Sequence, residues 1–193
     1  MLRWINAVDA IPAAPQRRTV MISAGHSDSD PGAAAHGYTE AGIVLEFREL
    51  VSNALARLGI KHMTDGQPGM NLPLRQAVQV ARTQQIAVEF HCNAARPQAT
   101  GTETLSQPRH YGLGAQLCHA TADALGIANR GAKPEDSGQH SRLAFVSDGG
   151  GLIHELFFLT SKTDLAAYIA GKRGLAQEVA RVIAEAARHA PDE

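Results

Sequence analysis

The sequence predicts one α/β domain, with a mostly parallel, twisted sheet of about six strands and helices on both faces. Short apolar segments alternate along the chain with longer segments whose apolar residues recur at helical spacing. The 193 residues include 44% apolar and 19% charged residues, a composition that fits a single globular domain with a sizeable core. Ligands of such sheets bind beyond the carboxyl ends of the strands, so candidate site residues are sought there.

Six apolar segments have the length expected of buried strands. The first follows a Pro- and Ala-rich extension without periodicity, residues 1–18, so the catalytic domain is predicted to span residues 19–193. The predicted strands are 19–23, 60–63, 86–90, 102–105, 143–146 and 152–158.

Four segments show helical periodicity or a helix-start signal. The first carries the apolar stripe Val44, Phe47, Val51 and Leu58, and Gly59 supplies its stop. A second opens at a proline, which is tolerated in the first turn, and a third is closed by a glycine. The predicted helices are about 43–58, 73–83, 113–125 and 172–188.

Charge, cysteines and hydropathy exclude several classes of protein. A formal net charge of -1 argues against nucleic acid as a partner. The two cysteines, Cys92 and Cys118, are too few for a disulfide framework or a thiolate zinc cage, so both are predicted to be buried apolar residues. Met1–Arg18 has no secretory hydrophobic region, and no apolar segment is long enough to span a membrane. We therefore expect no signal peptide, no membrane insertion and synthesis in the cytoplasm.

His26 lies in the polar loop that follows the first predicted strand. The loop reads Ser23-Ala-Gly-His-Ser-Asp-Ser-Asp-Pro-Gly-Ala33, and its glycines permit close approach of the backbone to a ligand. This position favours a metal ligand. Taken alone, a histidine hydrogen-bonded within a turn is the more ordinary interpretation.

Glu40 falls at the centre of the apolar stripe of the first helix, at about 100° per residue. A carboxylate there points towards the sheet. The alternative is an acid in the first turn that stabilises the positive end of the helix dipole.

His91 ends the strand 86–90, and period two places it on one face with Ala87 and Glu89. Cys92 points to the other face. Glu89 would either accept a hydrogen bond from His91 or reach solvent, and the sequence does not decide between them.

Glu155 lies within the apolar segment Gly151–Leu159, where an ionised carboxylate is costly unless it has a partner. The alternative is a strand-end glutamate that faces water. His154 points the opposite way and is predicted to be a hydrogen-bonded core histidine. Two histidines and a glutamate form a known zinc ligand set that leaves a position for water, while a further glutamate supplies the base.

The order of these residues resembles that of the zinc-dependent N-acetylmuramoyl-L-alanine amidases of the third amidase family. The matching segments are Gly25-His26, Asp30-Pro-Gly-Ala33, Glu40, His91-Cys-Asn93 and Glu155, with further matches at Arg75, Gly101-Thr-Glu103 and Asn129-Arg-Gly-Ala-Lys133. Together they extend from Val20 to Ile183. Departures are Ser27-Asp28 in place of Gly-Gly and Glu89 in place of a small residue, commonly Ser.

The resemblance implies one zinc ion per chain, held by His26, Glu40 and His91, with Glu155 as catalytic acid and base. The bond cut would join the lactyl group of N-acetylmuramic acid to L-alanine in peptidoglycan. The short segment after His91 implies an open site, and the chain looks most like a phage lysis enzyme (an antimicrobial endolysin), with cell-wall turnover as the other role.

Three further expectations complete this hypothesis. Donors near Arg142 or His140 are expected to assist zinc in stabilising the oxyanion. The protein is expected to be a monomer that acts on the cell wall after release. Two rival functions stay open, a zinc exopeptidase on a similar sheet and a non-catalytic peptidoglycan-binding protein.

Overall fold

A six-stranded sheet forms the centre of the molecule in the computed structural model, which describes residues 19–138 and 141–188. The described strands are β1 (Val20–Ala24), β2 (Ala34–Ala35), β3 (Tyr38–Thr39), β4 (His62–Thr64), β5 (Ile86–Asn93), β6 (Thr102–Ser106), β7 (Asn129–Pro134) and β8 (Leu152–Phe158). Of these, β2 and β3 form a separate short hairpin, and the other six form the sheet. The order in the sheet is β4-β1-β5-β8-β6-β7. The first four strands in that order are mutually parallel, while β6 is antiparallel to β8 and parallel to β7. The predicted α/β class and mostly parallel sheet are confirmed.

Five α-helices accompany the sheet, and local signals explain several of their ends. They are α1 (Glu40–Arg57), α2 (Leu74–Ala81), α3 (Tyr111–Leu125), α4 (Ala144–Ser147) and α5 (Lys162–Arg188). The Thr39 hydroxyl caps α1 by accepting a hydrogen bond from the Gly42 amide. Gly126 closes α3 in the left-handed region, at φ 64°, where glycine carries no steric cost.

The two faces of the sheet are covered by different helices. A large apolar core joins α1, α3 and α5 to one face, and it takes Ile86, Val88 and Phe90 from β5. A smaller cluster joins α2 and α4 to the other face and takes Ala87 from the same strand. The predicted alternation along this strand is therefore confirmed, and Cys92 packs into the large core as expected.

One predicted strand is wrong and another strand was missed. Residues 143–146 fall in the short helix α4 and the Leu143 residue that precedes it, because a short apolar run does not distinguish a buried strand from a helical turn. The strand that completes the six is β7, which lies at the edge of the described sheet and pairs there with β6. As a half-exposed edge strand, Asn129–Pro134 has no apolar run to reveal it.

The last helix begins ten residues earlier than the predicted residue 172. The Ser161 hydroxyl accepts a hydrogen bond from the Asp164 amide at 3.2 Å, which caps the helix at its true start. Gly171 lies inside this helix, where a Cβ on it would be 3.3 Å from Cδ2 of Leu125 in α3. Leu58, placed on the buried stripe of α1, is 39% exposed because it lies beyond the last helical turn. Within the described ranges, no helix combines the length and apolar character needed to cross a membrane.

Candidate metal centre and catalytic cavity

A cavity of about 290 Å³ opens at the carboxyl edge of the parallel strands. Four of its lining residues are those that the sequence predicted for metal binding and catalysis. His26 follows β1, Glu40 is the first residue of α1, His91 lies in β5 and Glu155 in β8. Residues separated by more than a hundred positions in the sequence therefore meet at one edge of the sheet.

The carboxylate of Glu40 lies between the two histidines. Its Oε2 is 3.0 Å from Nε2 of His26, and its Oε1 is 2.9 Å from Nδ1 of His91. One nitrogen or oxygen from each of the three residues lies within 4.8 Å of the others. Two imidazole nitrogens and a carboxylate oxygen are a donor set that suits zinc, so the residues present fit this metal.

Backbone amides orient the Glu40 carboxylate. The Ala33 amide donates to Oε2 and the Cys92 amide to Oε1, at 3.1 and 3.0 Å. Burial raises the pKa of Glu40, but the hydrogen bonds with His26 and His91 and the Cys92 amide outweigh it, and the pKa is lowered overall. Glu40 is therefore an anion fixed on four sides, and the first-turn dipole interpretation does not account for its contacts.

Two glycines leave space for the histidine rings. A Cβ on Gly25 would lie 2.3 Å from Cε1 of His91, and one on Gly32 would lie 2.5 Å from Nε2 of His26. His26 itself has φ 67°, a left-handed conformation that costs a non-glycine residue of order 1–3 kcal/mol. The segment between β4 and α2 supports this loop, since the Asn71 side chain donates to the Gly25 carbonyl at 2.8 Å.

Each histidine has a second carboxylate at its other ring nitrogen. Nδ1 of His26 lies 3.1 Å from Asp30, and Nε2 of His91 lies 3.1 Å from Glu89. The pKa of His26 is raised by its hydrogen bond to Glu40, against burial. Burial lowers the pKa of His91, but its hydrogen bonds with Glu40 and Glu89 outweigh that effect and raise it well above 6.5. The open question about Glu89 is thus answered, because it is buried and contacts His91.

Glu155 stands directly across the strand pair from His91, as its register partner on β8. Its Oε2 is buried and has no hydrogen-bond partner among the described residues. Burial raises the pKa of Glu155 to about 7, with partial compensation from His91. The interpretation of Glu155 as a solvent-facing strand end is wrong, since the side chain faces the cavity.

His154, the neighbour of Glu155, faces the apolar core on the opposite side of β8. It is completely buried, and its Nε2 lies 3.1 Å from the Thr121 hydroxyl and 3.3 Å from the Thr102 hydroxyl. Burial lowers the pKa of His154 to about 3. The prediction of a hydrogen-bonded core histidine agrees with these contacts.

A second charged cluster adjoins the same cavity. Oε2 of Glu103 accepts hydrogen bonds from Arg130 at 2.6 Å and Lys133 at 2.5 Å, and its Oε1 accepts one from Asn93 at 2.9 Å. Glu103 faces Glu155 across β6 and β8. The segments Gly101-Thr-Glu103 and Asn129–Lys133 carry part of the family resemblance, and in the structure they join in one ion-pair network.

Of the two residues proposed to assist the oxyanion, Arg142 is described by the structure and does not line the cavity. Arg142 is exposed, and its Nη2 lies 2.5 Å from Oδ1 of Asp148. It is absent from the cavity-lining residues of the described chain, whereas its neighbour Leu143 is among them. His140 lies outside the described residues. Their assistance to the oxyanion stays a prediction.

Some contacts at the site were not predicted. Asp30 was quoted only as part of a motif, although it follows His26 by four residues in a glycine-containing loop, and that proximity is a signal that could have suggested the pairing. Glu135, in the short 3₁₀ turn Glu135–Ser137, lines the far side of the cavity and accepts hydrogen bonds from Gln107 and Ser147. No apolar pattern surrounds it, so no periodicity marked it.

Comparisons with known proteins agree on one family. The model of the N-acetylmuramoyl-L-alanine amidases, third amidase family, matches residues 20–188. An uncharacterized protein of Bacillus subtilis (strain 168), YqiI, is 29% identical over 154 residues, which cover 76% of this chain and 73% of that protein. The family-model match includes every residue of this chain from the start of β1 to the end of α5.

Solved structures show the same architecture. A structure from Neisseria meningitidis, provisionally described as an N-acetylmuramoyl-L-alanine amidase, superposes with a TM-score of 0.80 at 38% identity, covering 88% of this chain and 95% of that one. The amidase AmiC2 of Nostoc punctiforme gives a TM-score of 0.76 at 22% identity, covering 89% and 98%, a likeness of fold. Because the family model matches almost the whole described chain, the protein belongs to the N-acetylmuramoyl-L-alanine amidases and is a peptidoglycan hydrolase.

Proposed function

We propose that the protein is a zinc-dependent amidase that cuts the bond between the lactyl group of N-acetylmuramic acid and L-alanine. His26, Glu40 and His91 hold one zinc ion per chain, and Glu155 is the catalytic acid and base. All four residues come from one chain, which supports a monomer as the active unit.

One observation carries this proposal. The Glu40 carboxylate offers one oxygen towards each of two histidines, and a carboxylate with a free buried oxygen lies one strand away. An ion pair with a purely structural role would not need Glu155. A hydrolase needs both the three metal ligands and Glu155, because the metal site and the proton-transfer group have different tasks.

When bound, zinc supplies Lewis acidity, which polarises the amide carbonyl and lowers the pKa of water towards ~7. Glu155 takes the proton of the attacking water and returns it to the nitrogen of the departing L-alanine. Its place opposite His91 in the strand register puts this carboxylate beside the proposed metal ligands in the same cavity. Glu40 and its two backbone donors keep the histidines in place while the proton moves.

The access route supports action on a polymer. Residues 94–101, all of them described, link β5 to β6 through bends and turns without a helix, so no helical insertion covers the cavity from this connection. We propose a role in host lysis or cell-wall turnover, as for an endolysin. Added to sacculi, the purified enzyme should then lower turbidity without any activator.

The decisive experiment combines product and metal analysis. We expect about one equivalent of zinc per chain, and mass spectrometry of digested sacculi should show stem peptides with a free L-alanine amine and no new reducing sugar ends. Activity should vanish on chelation and return with zinc, while the Glu155→Gln variant should stay inactive with zinc present. Intact muramic-acid-to-peptide bonds after digestion would exclude the amidase. Free amino acids from simple peptides would indicate the exopeptidase, and binding without products would indicate the binding protein.

A further inference from the structure

Glu89 is a buried carboxylate with two partners. It lies in β5, it is 3% exposed, and its Oε2 accepts a hydrogen bond from the Ser23 hydroxyl at 3.0 Å. Ser23 is its register partner on β1. Its other oxygen, Oε1, lies 3.1 Å from Nε2 of His91. A buried carboxylate requires donors on both oxygens, and here a hydroxyl and an imidazole supply them.

We propose that Glu89 is a positioning residue, which holds the Nε2–H of His91 so that Nδ1 faces the metal. The inference rests on the proposed zinc site. Nδ1 of His91 is the nitrogen directed towards Glu40, at 2.9 Å, and it is therefore the atom that shares the ligand cluster. Nε2 points the other way, to Glu89. The order carboxylate, histidine and metal would then run along a single line of contacts.

The ring of His91 has few other ways to lie. Turning it over would exchange nitrogens for carbons and remove both hydrogen bonds at once. On one side the backbone of Gly25 is so close that a Cβ there would meet the ring at 2.3 Å. Glu89 thus completes a clamp whose other members are Gly25 and Glu40.

The length of the side chain at position 89 matters for this contact. Residues 89 and 91 lie on the same face of one strand, where alternate residues are separated by roughly 6.5 Å along the chain. Only a side chain of about the length of glutamate or glutamine bridges that gap to the far ring nitrogen. The negative charge adds to the hydrogen bond, because it increases the basicity of the imidazole towards a cation.

The test uses full-length Glu89→Gln and Glu89→Ala chains, with Glu103→Gln as the matched control. Glu103 is also a buried carboxylate beside the cavity, but its partners are Arg130, Lys133 and Asn93 and not a histidine. Zinc affinity is measured by competition with a chelator. We expect about a 10- to 100-fold loss for Glu89→Ala, a smaller loss for Glu89→Gln, and a change within about twofold for Glu103→Gln.

A second measurement separates positioning from mere folding. In zinc-loaded protein with ¹⁵N-labelled histidine, His91 should show a proton on Nε2 and zinc on Nδ1. Its Nε2–H resonance should lie far downfield in the wild-type chain and move upfield in Glu89→Gln, which is isosteric and should retain the circular dichroism spectrum of the parent. Zinc on Nε2 of His91, or unchanged affinity and resonance in Glu89→Gln, would overturn the proposal. If the wild-type chain binds no zinc, the metal site itself fails, and that outcome is distinct from either.

Discussion

The two faces of the strand pair β5 and β8 give their ionisable groups different partners and shift histidine pKa values in opposite directions. On the cavity face, Glu89, His91 and Glu155 lie among other charged residues and hydrogen-bond donors. On the core face, Phe90 and His154 lie among apolar side chains, and Nε2 of His154 contacts the hydroxyls of two threonines. Glu89 and His154 are both buried, so burial alone does not decide which residues carry charge. The kind of partner decides it.

The difference explains why neighbouring residues have opposite pKa shifts. His91 has carboxylates at both ring nitrogens, which raise its pKa against the effect of burial. His154 is buried and contacts threonine hydroxyls, so burial lowers its pKa to about 3. A histidine surrounded by carboxylates can exchange its proton for a divalent cation, whereas one among hydroxyls in an apolar core stays neutral.

The strongest way to test the chemistry of the cavity face is to remove one charge at a time. Glu155→Gln should keep zinc, because His26, Glu40 and His91 remain, yet lose at least about 10² to 10⁴ in turnover. Glu40→Gln should lose zinc and activity together, since each of its oxygens faces a histidine. Zinc content, circular dichroism and wall-lysis rate are measured on the same preparations. A near-native rate for Glu155→Gln would contradict its assignment, and a His91→Ala chain provides the metal-free reference.

A smaller effect should follow from filling the space that the His91 ring occupies. Gly25→Ala places a methyl group 2.3 Å from Cε1 of His91, so the ring or the loop must shift. We expect about a 10-fold loss of zinc affinity with the helical content unchanged. Gly112→Ala is a control for the added methyl group, because a Cβ on Gly112 meets nothing within 4 Å and its φ does not lie in the left-handed region. Equal zinc affinities for Gly25→Ala and the parent would show that the close contact does not position His91.

Glu103 distinguishes ion pairing from metal binding on the cavity face. Its partners Arg130 and Lys133 carry permanent charge, so Glu103→Gln should destabilise the fold by about 1 to 2 kcal/mol and leave zinc binding intact. Urea unfolding and zinc content together measure the two effects. Loss of zinc in a folded Glu103→Gln chain would mean that the two clusters form one site.

The core face should appear in the dependence of stability on acid. The pKa of His154 in the folded chain, about 3, is below the usual 6.5. Between these two values the unfolded chain binds a proton at His154 and the folded chain does not. The free energy of unfolding is unaffected by this difference above about pH 6.5 and falls progressively as the pH falls towards about 3. Between about pH 7.5 and 5.5 the loss should be about 1 kcal/mol. Denaturant unfolding of the parent and of His154→Gln should differ in this slope, and parallel slopes would contradict it.

The sequence alone predicted the sheet class and the meeting of the four central residues, for a physical reason. Parallel strands end at one edge, so His26 and His91, each at or beyond a strand end, were expected near each other. Period two then assigned His91 and Glu89 to one face of β5, as observed. The metal and catalytic roles of these residues stay proposals.

What could not be predicted depends on contacts between distant segments. The sheet edge β7 owes its place to pairing with β6, and its sequence carries no apolar period. The position of Arg142 depends on its neighbour Asp148, which holds the guanidinium outside the cavity. The bond between Glu89 and His91 depends on side-chain torsions, which period two does not specify.

Asp164, the residue whose amide is capped by Ser161, ties several chain ends together. Its buried carboxylate accepts hydrogen bonds from the Gly101 amide, the Thr100 hydroxyl and the Phe158 amide, which lie where β6 begins and where β8 ends. Fraying of the first turn of α5 would therefore leave donors on two strands without an acceptor. We therefore expect α5 and the strands that carry Glu103 and Glu155 to open as one cooperative unit, so that residues 162–188 contribute to the stability of the cavity edge.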